Sequence, residues 1–328
     1  MKRPGLVFLI VLLSILAAPL VAEAQHQAGK VYRIGYLSLG SPSDGVERPF
    51  RDTLRQLGYV EGQNLLIESR FADAKVDQLP GLAADLVRRN VDLIVTIGTP
   101  PVQAAKEATA TIPIVMAGSA DPVEHGLVAS LAQPGGNVTG VTHSPGPEIS
   151  GKGIELLKEA VPTVSRVAVL WDSSGIHEGL SLENQKVVAR KLGVTLLPFD
   201  AKTLDELNAA LVAIPRERAN GLFVFPNFIN GKHWQLILDF AATNRLPTMF
   251  QETWWVEKGG LMSYYTNWGR LRERAAIFVD RILKGAKPGD LPVEQPTKFD
   301  LVISLKTAKA LGLTIPPTVL SRADKVIE

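Results

Sequence analysis

Two runs of alternating apolar and amphipathic segments, punctuated in the same way, constrain this 328-residue chain more than any other feature. Short stretches rich in Val and Ile recur at Tyr32–Leu37, Asn64–Arg70, Asp92–Ile97, Ile114–Ala117 and Val138–Thr142. They recur again at Val167–Trp171, Val194–Phe199, Gly221–Phe225, Thr248–Gln251 and Leu261–Tyr265. Amphipathic stretches of helical length separate them, which is the pattern of β-α-β units on a parallel sheet. The punctuation repeats in order. Arg55-Gln56-Leu57-Gly58 answers to Arg190-Lys191-Leu192-Gly193, and Asn90-Val91-Asp92 to Asn220-Gly221-Leu222. Thr111-Ile112-Pro113 answers to Arg245-Leu246-Pro247, and Gly135-Gly136-Asn137 to Gly259-Gly260-Leu261.

The expected fold is therefore α/β, with two similar Rossmann-like lobes on parallel sheets. A chain of about 300 residues also exceeds the size at which one hydrophobic core keeps growing. In such sheets the loops at the carboxyl ends of the strands form a crevice into which helix N-termini direct free N–H groups. Two facing edges then enclose a ligand cleft between the lobes. The chain is expected to cross near His143–Glu148, where Pro145, Gly146 and Pro147 make a hinge. A second crossing near Tyr265–Asn267 returns a helix, Gly269–Lys284, to the first lobe, and a third near Pro296 sends Phe299–Ile303 to the second. The expected bounds are 31–145 plus 267–295 for the N-terminal lobe and 146–266 plus 296–328 for the C-terminal lobe.

Export is expected from the first residues. Lys2 and Arg3 precede the apolar run Gly5–Leu16, and Ala22-Glu23-Ala24 offers the small side chains that signal peptidase requires. Residues 1–24 read as a cleavable signal peptide, with the run too short to span a bilayer. The chain has no cysteine, which excludes disulfides, thiolate metal sites and a lipid-anchored cysteine. Removal of Lys2, Arg3 and Glu23 with the leader lowers the formal charge of +2 by one, and no basic block remains to follow a nucleic-acid backbone. A monomer free in the periplasm is expected.

No catalytic group stands out. Gly146-Pro147-Glu148-Ile149-Ser150-Gly151-Lys152-Gly153 has the spacing of a phosphate-binding loop, but Gly153 occupies the place of the Ser or Thr that holds magnesium. An exported two-domain hydrolase or a nucleotide-binding protein using this loop is the alternative reading. The histidines at 26, 125, 143, 177 and 233 lack the i, i+4 pairing of a helical metal site, and no Gly-x-Ser-x-Gly elbow occurs. No metal or cofactor is expected.

Candidate ligand contacts come from strand ends instead. They are Ser38 and Ser41, Gly98 and Thr99, Ser119 and Asp121, and His143 and Ser144 in the first half. In the second they are Ser173 and Ser174, Asn227, Gln251 and Glu252, and Tyr264, Tyr265 and Asn267. Hydroxyls and amides orient a neutral or zwitterionic solute without burying an unpaired charge. Gly98 permits close approach to Thr99 and to the helix amides of Val102, Gln103 and Ala104. Asp121 has two readings, a partner for a ligand ammonium or the N-cap of a helix starting at Pro122. Trp254, Trp255 and the two tyrosines are positioned to stack on an aromatic solute or to pack a core.

Several segments carry a resemblance. Leu54–Ile67, Gly98–Ala104, Thr111–Val115, Ser119–Val123, Val128–Gly140, Gly259–Tyr264 and Pro296–Glu328 resemble, in order, the ABC-transporter substrate-binding family that includes tryptophan-binding TrpX-type proteins. Tyr265 stands where many relatives carry glycine. The resemblance implies a type I periplasmic-binding fold, a small-molecule solute, best an amino acid and possibly aromatic, and an inner-membrane ABC permease as partner.

Overall fold

The computed structural model describes residues 30–42, 47–144, 149, 151–174 and 176–328. The expected signal peptide at 1–24 and the Pro145–Glu148 hinge lie outside the described residues. One sheet contains β1 (Tyr32–Ser38), β2 (Leu65–Phe71), β3 (Leu93–Ile97), β4 (Ile114–Ser119) and β5 (Val138–Thr142), in the order β2-β1-β3-β4-β5. All its neighbouring pairs are parallel. The second sheet begins with β6 (Arg166–Trp171), β7 (Thr195–Asp200), β8 (Gly221–Val224), β9 (Thr248–Phe250) and β10 (Met262–Thr266), in the order β7-β6-β8-β9-β10, again parallel throughout. Position for position, this is the first sheet's order repeated. It is extended by β11 (Phe299–Ser304), antiparallel to β10, and β12 (Lys325–Ile327), parallel to β11. Two like halves on mostly parallel sheets make the type I periplasmic-binding architecture.

All ten apolar runs of the sequence are strands, with ends moved by no more than a residue or two. They read as continuous apolar runs because helices cover both faces of each sheet. In β4 all six residues are buried. The covering helices are α1 (Arg48–Gln56), α2 (Leu79–Arg88), α3 (Thr99–Ala108), α4 (Lys152–Ala160), α5 (Ile176–Lys191) and α6 (Leu204–Arg216), followed by α7 (Phe228–Lys232), α8 (Trp234–Thr243) and α9 (Thr253–Glu257). After them come α10 (Trp268–Leu283), α11 (Leu305–Ala310) and α12 (Pro317–Leu320). Each sheet has a core on either face.

Helix α10 follows the last parallel strand of the second sheet yet packs on the first, against α1, β4 and β5. Its inward face carries Leu271, Ala275, Phe278 and Val279 into the same core as Ile34, Phe50 and Val115. Each fully buried side chain of this size contributes ~1.5–3 kcal/mol. Beyond α10 the chain lies beside β5, where Glu294 donates its N–H to Gly140 O at 3.0 Å and accepts from Thr142 N–H at 2.9 Å. It then enters the second sheet as β11. The chain thus passes between the sheets after Thr142, at Asn267, and between Glu294 and Phe299.

Candidate functional site

The two sheets are tied together at the carboxyl ends of β5 and β10. His143, just past β5, shares a 2.9 Å hydrogen bond between its Nδ1 and Tyr265 Oη in β10. The ring of Trp268, first residue of α10, lies 4.9 Å from the His143 ring. Trp268 fits there because Gly118 in β4 has no side chain. A Cβ on Gly118 would stand 2.8 Å from Trp268 Cζ3, and the backbone at φ +102° is one that L side chains rarely adopt. Burial pushes the Tyr265 phenol well up, and the nearby charges of Asp121 and Glu252 add to the shift.

Around this junction the two sheets contribute opposite charges. Glu252 follows β9, and its Oε2 accepts the Trp254 indole N–H at 2.9 Å. Burial drives the carboxyl above the usual range, opposed by that indole, by the Trp255 and Trp268 indoles and by the positive charge of Arg272. Arg272 is one turn into α10, its guanidinium carbon 5.8 Å from the Trp268 ring centre. Burial holds it below the ordinary guanidinium range, against the pull of Tyr36 and Glu252. Tyr36 in β1 is fully buried beside it, and burial raises its phenol strongly. Behind Glu252 the rings of Phe250, Trp255 and Trp254 stack at 4.5 Å and 4.6 Å. Trp255 is core, 1 % exposed, whereas Trp254 is partly exposed on the outer face of the stack.

The strand-end residues fall into three groups. Asp121, Ser144, Gln251 and Tyr265 gather with His143 and Glu252 at the junction. Asp121 N–H donates to Ser144 Oγ at 2.9 Å, and Gln251 Oε1 is buried with no hydrogen-bond partner. No helix begins at Pro122. The chain makes a turn there, closed when His125 N–H reaches Asp121 O and both Leu127 and Val128 donate to Pro122 O. The helix-cap reading of Asp121 is thereby corrected. Gly98 and Thr99 flank this group, and Thr99 Oγ1 accepts the Ala120 N–H at 2.8 Å, tying the ends of β3 and β4 together.

A second group, Ser173, Ser174 and Asn227, lies at the ends of β6 and β8. Ser173 binds Asp200 through both its N–H and its hydroxyl, and Ser174 binds Asp172 in the same manner. Asn227 caps α7 by accepting Asn230 N–H at 2.8 Å, while its enclosed side-chain amide also acts on the Glu178 carboxyl. The third group is taken up locally. Ser38 Oγ accepts Gly40 N–H at 3.1 Å, and Ser41 donates to Asp73. Ser119 turns inward to Met116 Sδ at 3.1 Å. Tyr264 leans on Phe299, with ring centres 5.7 Å apart. Asn267 caps α10 through Gly269 and Arg270 N–H and donates to Asp300 Oδ2 at 3.1 Å.

Trp268, Arg272 and Tyr36 were not among the sequence candidates. Trp268 and Arg272 are one helical turn apart just beyond the crossing at Asn267, so a crossing helix that opens with an aromatic and a cation on one face was the available signal. Of the phosphate-loop spacing, residues 145–148 and 150 lie outside the described residues. Lys152 Nζ pairs with Glu155 Oε1 at 2.7 Å on its own helix. Among the described residues no three His, Cys, Asp or Glu side chains are arranged to hold a metal ion, and no helix is long and apolar enough to cross a membrane.

Comparison with known proteins gives a consistent set of relatives. The family model described as ABC transporter substrate binding protein matches residues 41–327. A "Tyrosine-binding protein" of Clostridioides difficile is 28% identical over 270 residues, covering 82% of this chain and 77% of the relative. Among solved structures, the ABC domain in complex with L-Trp from Streptococcus pneumoniae has a TM-score of 0.83 at 30% identity, covering 91% of this chain and 100% of that one. A conserved domain protein from Vibrio cholerae has a TM-score of 0.82 at 31% identity, covering 90% of this chain and 100% of the other.

Proposed function

From the premise that the chain belongs to the ABC transporter substrate-binding protein family, we propose that it captures an amino acid, aromatic in side chain, between its two sheets and delivers it to an inner-membrane permease for import. The observation that carries this reading is the junction itself. Trp254 from the second half, Trp268 from α10 on the first, and Tyr265 and His143 between them put aromatic faces from both halves around one partly buried carboxylate and one partly buried guanidinium. Rings of this kind favour an aromatic side chain in offset or edge-on contact. The names of two relatives, one for tyrosine and one in complex with L-Trp, support the same solute class.

On this reading the halves 31–145 plus 267–295 and 146–266 plus 296–328 are lobes that close on the solute. The protein works as a monomer in the periplasm, released from its leader after Ala24, and the solute leaves unchanged, with no turnover. The test is a thermal-shift screen of the purified protein against the twenty amino acids. A solute at 100 times its dissociation constant adds ~2.7 kcal/mol of stability. L-tyrosine or L-tryptophan is expected to raise the transition temperature. A screen in which sugars or inorganic anions shift it and no amino acid does would overturn the proposal.

A further inference from the structure

The charges at the junction are divided between the sheets, with the Arg272 guanidinium on one side and the Glu252 carboxylate on the other. On the side of the first sheet, Arg272 Nε, Trp268 Nε1 and Tyr36 Oη are enclosed and lack a partner at full hydrogen-bonding geometry, with Tyr36 beside Arg272 and the Trp268 indole close enough to Glu252 to lower its carboxyl. All three can donate. On the side of the second sheet, Gln251 Oε1 is enclosed and unpartnered, and Glu252 Oε2 accepts the Trp254 indole N–H while the Trp255 and Trp268 indoles also favour its charged form. Both can accept. Glu252 and Arg272 each feel the other's charge, yet they form no ion pair. A buried polar atom left without a partner costs ~1–3 kcal/mol, and more when charged. A guanidinium on one half and a carboxylate on the other, which form no ion pair, are the complement of a molecule with a carboxylate at one end and an ammonium at the other.

We infer that Arg272, with Trp268 Nε1 beside it, receives the carboxylate of an α-amino acid and that Glu252, with Gln251 Oε1, receives its ammonium. This assignment rests on the function proposed above and gives it a direction. The solute's charged ends lie across the gap between the sheets, and a solute lacking either end leaves one half of the site unpaired. Charge-assisted hydrogen bonds are each worth ~1.5–3 kcal/mol, so loss of either end lowers affinity about tenfold to a hundredfold.

The assignment is tested by calorimetric titration with a trio of related compounds. For an amino acid that binds, the trio is that amino acid, its decarboxylated amine and its des-amino acid; for L-tyrosine these are L-tyrosine, tyramine and 3-(4-hydroxyphenyl)propionate. The parent protein, which requires no substitution to fold, is expected to lose tenfold or more with both analogues. In Arg272→Met the preference for the amino acid over the amine collapses toward one while the preference over the des-amino acid persists. In Glu252→Gln the reverse holds. An amino acid that binds with both preferences unchanged in both variants, or with the two swapped, overturns the assignment and leaves the proposed function standing. If none of the twenty amino acids binds, the proposed function fails and the assignment fails with it.

Discussion

Glu178, in the first turn of α5, is 8 % exposed, and its Oε2 accepts the Asp172 N–H. Burial is the largest cause that pushes its carboxyl up to about 8, resisted by the Asp172 N–H and helped by the charges of Asp172 and Asp200. The same group ionises near 4.5 in an unfolded chain. Between those two values the folded protein keeps a proton that the unfolded chain has released, so stability is full below pH ~4.5 and is lost as pH rises toward 8. For one proton the slope approaches ~1.4 kcal/mol per pH unit. Glu178→Gln keeps the shape and the acceptor oxygen and removes the titration. Urea unfolding at pH 5 and pH 8 is expected to show a smaller loss for the variant than for the parent; an equal loss in both would sink this account. The strand-end serines Ser119 and Ser173 show why single contacts were hard to read from sequence. That a serine follows a strand is legible, but the direction of its hydroxyl is set by partners such as Asp200 and Met116, brought near by the fold.

At the scale of elements, α10 couples the site to the scaffold. Its N-cap, Asn267, satisfies the Gly269 and Arg270 amides, and Arg270 pairs with Asp300 of β11 at 2.9 Å. The residues meant to meet the solute, Trp268 and Arg272, lie in the two turns that this cap starts. Replacing such a cap with alanine costs ~1 kcal/mol. Asn267→Ala is expected to lower unfolding free energy by about that amount and to weaken solute binding as well, because the frayed turn carries Trp268. Asn267→Asp retains the capping oxygen and is expected to recover most of the stability. Urea titration of the three proteins decides, and an alanine variant as stable as the parent would remove the cap from the argument. Elements were the most legible level of this chain. Ten strands and α10 announce themselves through Val- and Ile-rich runs and through a helix with a consistent apolar face. Strand β12 did not, because its three residues, mostly exposed, are strand only by virtue of the β11 edge beside them. The turn at Pro122 reads as a helix start because Asp-Pro is a common one, and it stops after a turn because the amides beyond it fold back on Pro122 O.

For the whole molecule the question is what the two halves gain by approaching. The ties nearest the three passages are contacts within reach of the pivot, the His143–Tyr265 hydrogen bond and the Arg270–Asp300 pair. Rotation about passages so placed moves them least. On the proposed reading, the groups that differ most between an open and a closed arrangement are those a bridging solute joins, Glu252 and Gln251 on one side and Arg272 on the other. A solute that satisfies both sides binds the closed form better than the open one, and it shifts the balance by that difference in affinity and no more. Small-angle scattering of the protein with and without a binding amino acid is therefore expected to show a smaller radius of gyration in its presence. Arg272→Met and Glu252→Gln, at solute concentrations that fill their sites, are expected to compact less completely than the parent, because each has lost one of the two anchors that make closure favourable. A parent protein that binds stoichiometrically with no change in its scattering would mean that the solute is held by one half alone, and the division of Arg272 and Glu252 between the sheets would then have no part in closure.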